Sequence, residues 1–170
     1  QDLLSCEEVT LKDLENILSL SARLKKERGS AASPKPLAGK SVGMIFAKSS
    51  TRTRISFEVG VAELGGTPIY LEQKHMQMGR GETIADTARV LSRYLHAIVI
   101  RTYSQAELVE LAKYANIPVI NALTDDYHPC QAITDVFTMQ EYSDKLEGLK
   151  LAYLGDGASN MANSLMLICQ

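Results

Sequence analysis

Short apolar runs alternate along this chain with longer stretches in which apolar residues recur at helical spacing. At intervals of roughly 20–30 residues, this alternation is typical of right-handed β–α–β crossovers, and so of a mainly parallel sheet covered by helices on both faces. The pattern therefore predicts an α/β fold. Strands are expected at residues 41–47, 68–71, 96–100, 118–121 and 149–154. Helices are expected to begin near residues 11, 52, 83, 106, 129 and 160.

Length, charge and cysteine usage narrow the class of protein. The chain has 170 residues, enough for one domain and the start of another. Its net charge of -2 gives no basic field for nucleic acid, and no apolar run is long enough to cross a membrane. The three cysteines lie far apart, which indicates reduced thiols. A cytoplasmic protein is predicted; the mitochondrial matrix stays an alternative, because the first residue is not Met and a targeting segment could have been removed.

A turn rich in hydroxyl groups and arginine follows the first predicted strand. Residues 48–54 read Lys-Ser-Ser-Thr-Arg-Thr-Arg and lead into a helix. The first turn of a helix has N–H groups without partners and carries partial positive charge, so this junction suits phosphate. Hydroxyl donors come from Ser50, Thr51 and Thr53, while the guanidinium of Arg52 can bind two phosphate oxygens. The alternative interpretation is an ordinary helix cap beside solvated arginines.

Other polar residues follow the third and fourth predicted strands. Arg101 ends the third strand, and His128 and Gln131 follow the fourth. Because the carboxyl ends of parallel strands open on one edge of a sheet, these side chains are expected to meet the phosphate turn in one crevice. Each also has an ordinary interpretation, Arg101 as a surface residue and His128 as a cap for the helix that starts at Pro129. No Cys/His group has metal-ligand spacing, and Cys130 is expected to be a small buried residue.

Four motifs together resemble the aspartate/ornithine carbamoyltransferase family. They are residues 46–54 (Phe-Ala-Lys-Ser-Ser-Thr-Arg-Thr-Arg), 79–87 (Gly-Arg-Gly-Glu-Thr-Ile-Ala-Asp-Thr), 101–102 (Arg-Thr) and 128–131 (His-Pro-Cys-Gln). Their order and spacing match the family across nearly the whole chain. Residues 123–131 are more similar to the ornithine carbamoyltransferases than to the aspartate enzymes, so the resemblance favours ornithine as acceptor.

The resemblance implies a role for each motif. The phosphate of carbamoyl phosphate would be held by Ser50, Thr51, Arg52 and Thr53. The carbamoyl end would be held by Arg101, His128 and Gln131. Gln77 would reach into the site of a neighbouring subunit, and Asn160 would contact ornithine. The catalytic residues would be Arg52, Arg101 and His128, because fixed donors stabilise the charge that develops in the transition state.

The implied reaction converts carbamoyl phosphate and L-ornithine to L-citrulline and phosphate, as part of arginine biosynthesis. It would need no metal and no cofactor. The resemblance further implies a homotrimer or a multiple of trimers, with no nucleic acid or membrane partner.

Family members are longer than this chain and carry a second domain. The resemblance therefore divides the chain into a carbamoyl phosphate-binding domain, residues 1–147, and the first strand and partial helix of a truncated ornithine-binding domain, residues 148–170. With Asn160 as its one acceptor-site residue, the 170-residue chain alone is expected to be poorly active. A missing second domain should also leave apolar surface exposed on the helix bearing Leu14, Ile17 and Leu18 and on residues 165–168.

Two positions depart from the family pattern, and two other functions stay open. Ala47 stands where relatives often have Glu or another polar residue, and Ser159 where many have a first Asn. A carbamoyltransferase with putrescine or aspartate as acceptor would share all of these motifs. A non-catalytic fragment that binds phosphate is favoured by the missing domain and opposed by the completeness of the phosphate-binding residues.

Overall fold

The computed structural model describes residues 1–78, 81–143 and 145–170. The four strands are β1 (Ser41–Phe46), β2 (Thr67–Glu72), β3 (Ala97–Arg101) and β4 (Val119–Leu123). The six helices are α1 (Leu11–Glu27), α2 (Arg52–Glu63), α3 (Ile84–Tyr94), α4 (Gln105–Tyr114), α5 (Pro129–Tyr142) and α6 (Asn160–Ile168). A short 3-10 helix, Gln73–His75, follows β2. These elements agree with the predicted alternation as far as α5, so the α/β fold class is confirmed.

The four strands form one parallel sheet in the order β2-β1-β3-β4. In the register, Met44 of β1 lies between Tyr70 of β2 and Val99 of β3. The β3–β4 ladder is irregular between Ile100 and Arg101. Because the sheet order is β2-β1-β3-β4, the connection that follows β1 runs to one side of the sheet and the connection that follows β3 runs to the other. A crevice therefore opens beside the carboxyl end of β1, where folds of this kind bind ligands.

The amino-terminal residues extend the sheet beyond β4, which the sequence did not predict. Leu3 forms an isolated parallel bridge with Ile120. Its N–H donates to the carbonyl of Val119 at 2.9 Å, and its carbonyl accepts from the N–H of Asn121 at 2.8 Å. This short pairing covers an edge that β4 would otherwise expose to solvent.

Both faces of the sheet are buried against helices. On one face, Ile45, Ile98 and Ile100 belong to an apolar cluster that includes Leu108 and Leu111 of α4. The opposite face belongs to a second cluster, with Met44, Phe46, Val61, Val99 and Ala122 among its members. Since β1, β3 and β4 are largely buried on both sides, they appear in the sequence as continuous apolar runs. The packed core holds the strands in place, and so it holds their carboxyl ends, where the polar residues lie.

The helix boundaries follow from local capping chemistry. Thr10 and Asp13 form a capping box at the start of α1, since each side chain accepts from the other residue's N–H. Gly29 follows the end of α1 with φ of 74°, a conformation that glycine adopts without steric cost. The predicted start of this helix near residue 11 is therefore confirmed.

The strand predicted at residues 149–154 was wrong. These residues form no strand, and their side chains are exposed, with Leu154 at 91%. An apolar run forms a strand only where neighbouring strands satisfy its backbone groups, and the described residues offer this segment no such pairing. The helix expected near residue 160 is present as α6. The domain boundary at residues 147 and 148 stays a prediction.

The expected apolar surface is present on both predicted segments, although the residues named on α1 are not the exposed ones. Leu18 is buried, and Leu14 and Ile17 are partly buried; in the carboxyl-terminal segment, Leu165 is buried. The exposed large apolar side chains of these two helices are Leu11 and Leu20 on α1 and Met166 on α6. The difference arises because α1 packs on α5, and α5 packs on α6. No helix in the described part of the chain is long and apolar enough to cross a membrane.

Candidate functional site

The amino terminus of α2 lies at the carboxyl end of β1 and is left open. In four other helices, the N-cap hydroxyl accepts from a backbone N–H of the first turn: Thr10, Thr83, Ser104 and Ser159. At α2 the N-cap is Thr51, whose side chain makes no such bond. The first N–H groups of α2 are therefore available to an anion, and the helix dipole favours one there. This geometry favours the phosphate interpretation of the turn over an ordinary cap.

The two arginines in the first turn of α2 have different surroundings. Arg52 is exposed, and no hydrogen bond or ion pair joins it to another described residue. Arg54 instead lies over the ring of Tyr70, 4.0 Å from its centroid, and its Nε donates to Glu58 at 3.4 Å. Arg52 thus keeps its guanidinium free for a ligand, while Arg54 is engaged with the helix and β2. Ser50 is partly buried in the turn between them and β1.

Arg101 connects the end of β3 to the start of α2. Its Nη1 donates to the Oγ1 of Thr53 at 3.1 Å, and the residue is partly buried. Its Nε is buried and has no hydrogen-bond partner among the described residues. Burial lowers the pKa of the Arg101 guanidinium from its usual value, but arginine stays charged at neutral pH. Arg101 is therefore a partly desolvated cation with an unused donor, rather than a surface arginine.

His128 occupies the N-cap position of α5, next to Pro129 at the first turn. Its side chain does not cap the helix, and its Nδ1 is buried without a partner among the described residues. Burial, helped by the nearby positive charge of Arg101 and opposed by Asp135, lowers the pKa of His128 to about 4. The imidazole is therefore neutral at pH 7, with one donor and one acceptor nitrogen. Two unpartnered buried nitrogens, on Arg101 and His128, thus lie in one neighbourhood.

Two amides predicted for the site are engaged within the protein. The Nε2 of Gln131 donates to the Oδ1 of Asp135 at 2.8 Å along α5, and Gln131 is exposed. The Nδ2 of Asn160 donates to the backbone carbonyl of Thr124 at 2.8 Å. A ligand would reach Gln131 only after its side chain turns away from Asp135. Asn160 is brought beside the loop that carries His128.

Gln77 lies in the loop after β2, and its side chain is exposed. Its backbone carbonyl accepts from the N–H of Glu82 at 3.3 Å, so the loop closes on itself. In the 79–87 motif, Gly79 and Arg80 lie outside the described residues. The role of Gln77 in a neighbouring subunit therefore stays a prediction.

Lys48 makes a contact that the sequence did not reveal. Its ammonium group forms an ion pair with Asp125 and lies over the ring of Tyr103, 4.3 Å from the centroid. The Lys48 side chain is only 19% exposed. Lys48 thus ties the phosphate turn to the β4–α5 loop across the end of β3. The position of Lys48 in the arginine-rich turn indicated that it lies near the site. Periodicity does not predict which way its side chain points.

The three cysteines are free: Cys6 is buried, Cys130 is partly buried and Cys169 is exposed. Burial raises the pKa of Cys130 to about 12 and that of Cys6 to about 11. The Sγ of Cys130 donates to the carbonyl of Asn121 at 3.3 Å. Cys130 is therefore a partly buried residue whose thiol is a poor nucleophile. Within the described residues, no group of three His, Cys, Asp or Glu side chains is placed to hold a metal ion.

Comparison with known proteins gives consistent findings. Residues 1–141 match the family model described as aspartate/ornithine carbamoyltransferase, carbamoyl-P binding domain. The chain is 53% identical to the ornithine carbamoyltransferase of Anoxybacillus flavithermus over 98% of this chain and 53% of that protein. It is 51% identical to that of Bacillus subtilis, over 99% of this chain and 51% of the relative. The chain thus spans about half the length of the curated relatives it matches.

The solved structures agree with the sequence matches. The structure of the ornithine carbamoyltransferase from Pyrococcus furiosus superposes with a TM-score of 0.95 at 47% identity, covering 99% of this chain and 54% of that one. The structure from Thermus thermophilus gives a TM-score of 0.90 at 39% identity, covering 97% of this chain and 56% of that one.

Proposed function

We propose, because this chain belongs to the aspartate/ornithine carbamoyltransferase family through its carbamoyl-P binding domain, that its open sheet edge binds carbamoyl phosphate for transfer to L-ornithine. The observation that carries the proposal is that two buried nitrogens, the Nε of Arg101 and the Nδ1 of His128, have no partner in the described part of the chain and lie near the uncapped start of α2. A bound molecule with a phosphate at one end and a carbonyl oxygen at the other would satisfy both features.

The phosphate would lie at the amino terminus of α2. Its oxygens would accept from the open backbone N–H groups there, and from Ser50, Thr51 and Thr53. Arg52 would add a bidentate contact, because its guanidinium is exposed and has no hydrogen bond or ion pair with the residues that the structure describes. Thr53 already touches Arg101, so the two ends of the ligand would be held by side chains in contact with each other.

The carbonyl oxygen would lie between Arg101 and His128. The neutral δ-amine of ornithine would attack the carbonyl carbon, forming the C–N bond. The C–O bond to phosphate would break, and the phosphate would leave with the proton that the amine loses. Negative charge would build first on the carbonyl oxygen and then on the leaving phosphate. Arg101 stays charged and partly desolvated, and a neutral His128 donates from one ring nitrogen, so both can stabilise the carbonyl oxygen without reorganisation. Arg52 would stabilise the phosphate as it leaves.

Ornithine is proposed as the acceptor because the relatives described above are ornithine carbamoyltransferases, which weighs against putrescine and aspartate. Residues 1–147 would form the carbamoyl phosphate-binding domain, in keeping with a family match that ends at residue 141. Residues 148–170 would begin an ornithine-binding domain. We further propose that the protein is cytoplasmic and acts in arginine biosynthesis. It would form a trimer in which Gln77 reaches the site of the neighbouring subunit.

Calorimetry with carbamoyl phosphate, in buffer without divalent metal, tests the proposed site. Arg52→Ala should weaken binding by about 1.5–3 kcal/mol, the usual contribution of a charge-assisted hydrogen bond. Arg54→Ala is a matched control: it removes the same charge two residues away, but from a side chain held by Glu58 and Tyr70. Equal losses in the two variants would indicate a general charge effect and contradict the assigned site.

A further inference from the structure

Helix α6, which lies beyond the family match, contacts the loop that carries His128. Three of its side chains reach the β4–α5 loop: Asn160, Asn163 and Ser164. The bond from Ser164 goes to His128 itself, whose backbone N–H donates to the Ser164 Oγ at 2.8 Å. The helix thus holds a proposed catalytic residue by its main chain.

Ser164 is fully buried, and its hydroxyl is fully used. Its Oγ–H donates to the carbonyl of Asn160 at 2.7 Å, one turn earlier in α6, which directs a lone pair toward His128. His128 has φ of -140° and ψ of 68°, outside the helical range, and Pro129 follows it. The hydrogen bond therefore fixes the backbone at the point where the chain turns into α5, and the imidazole is only two side-chain torsions away.

We infer that Ser164 is a positioning residue for His128: by binding its backbone N–H, Ser164 holds the imidazole buried beside Arg101. The geometry stands on its own. Its consequence for ligand affinity rests on the proposed function, because His128 matters to binding only if the carbonyl oxygen lies there. The charged groups that act on the imidazole are Arg101 from β3 and Asp135 from α5, and neither lies on α6.

The same helix offers a matched control. The Nδ2 of Asn163 donates to the carbonyl of Asp126 at 3.0 Å, so Asn163 also joins α6 to the loop. Its partner, Asp126, is exposed. Ser164→Ala and Asn163→Ala each remove one hydrogen bond between α6 and this loop. A general loosening of α6 would affect both variants alike, whereas positioning of His128 would affect only the first.

The primary experiment titrates the His128 imidazole by NMR in the ligand-free 170-residue protein. In Ser164→Ala, the imidazole should become more hydrated, and its pKa should rise by about 0.5–1 pH unit toward that of a solvated histidine. In Asn163→Ala, the titration should match wild type. The second readout is affinity: Ser164→Ala should bind carbamoyl phosphate roughly 3- to 10-fold more weakly, while its affinity for inorganic phosphate changes less than about twofold.

The outcomes separate this inference from the proposed function. Wild-type protein that fails to bind carbamoyl phosphate would contradict the function, while the His128 titration would still decide the role of Ser164. An unchanged titration in Ser164→Ala, or an equal shift in Asn163→Ala, would overturn the inference. If Ser164→Ala does not fold, Ser164→Cys replaces it, since a thiol is a similar size and a weaker acceptor.

Discussion

Acid should destabilise this protein through His128, and replacing that histidine should remove part of the effect. Burial and the charge of Arg101 lower the pKa of His128 to about 4 in the folded chain, from an ordinary value of 6.5. Between these values the unfolded chain binds a proton that the folded chain excludes. Because the unfolded state then carries more protons, the free energy of unfolding rises with pH across this window. The stability is complete above pH 6.5 and is lost as pH falls toward 4.

The size of the effect follows from the two pKa values. At pH 4.5, linkage gives a loss of about 2.5 kcal/mol for an imidazole that is fully shielded in the folded state. His128 is only partly buried, and solvent screening reduces the figure to about 1–2 kcal/mol. His128→Gln has no ionisable group at this position. Its free energy of unfolding should therefore fall less than that of wild type, by about this amount, between pH 7.5 and pH 4.5.

Urea unfolding at several pH values measures this difference, and wild type supplies the common background because all other titrating groups are shared. His75→Gln is a suitable control, since it removes an imidazole that is 72% exposed. Parallel pH curves for wild type and His128→Gln would refute the reasoning, and with it the neutral, desolvated histidine on which the site geometry depends.

Two further predictions concern the whole chain. Purified 170-residue protein should form little or no citrulline from carbamoyl phosphate and ornithine, because a transition state is stabilised only when both reactants are held; turnover at a rate typical of complete enzymes would show that the second half is dispensable. Analytical ultracentrifugation should reveal a trimer, since a loop that completes the next subunit's site makes a head-to-tail contact that closes into a ring. A monomer at high concentration, with carbamoyl phosphate affinity unaffected by Gln77→Ala, would contradict the shared site.

Much of the fold could be predicted because parallel strands are buried on both faces. The runs that became β1, β3 and β4 are apolar for this reason, and the stretches between them have helical spacing. Residues 149–154 carry the same apolar signal yet form no strand. Apolar composition reports a tendency to be buried, whereas a strand also needs partners for its backbone groups. The described chain supplies none at that place, so the pattern alone was not sufficient.

The candidate site was predictable in position but not in side-chain direction. Parallel topology requires the ends of β1 and β3 to meet, which brings Thr53 and Arg101 together. It does not determine that the amide of Gln131 turns to Asp135, or that the ammonium group of Lys48 crosses to the β4–α5 loop. Such contacts depend on rotamers and on distances between residues far apart in sequence, which periodicity does not encode.

The contacts of α6 bear on where a functional unit ends. The family match stops at residue 141, and α6 begins at Asn160. Nevertheless, α6 packs on α5, contributes Leu165 to a buried cluster with Cys6 and Ala132, and holds the backbone of His128. A residue proposed to act on the carbamoyl end is thus held by a helix that lies beyond the matched carbamoyl-P binding domain. If the acceptor binds near α6, as proposed, a movement of this helix would reach the backbone of His128 through its hydrogen bond to Ser164.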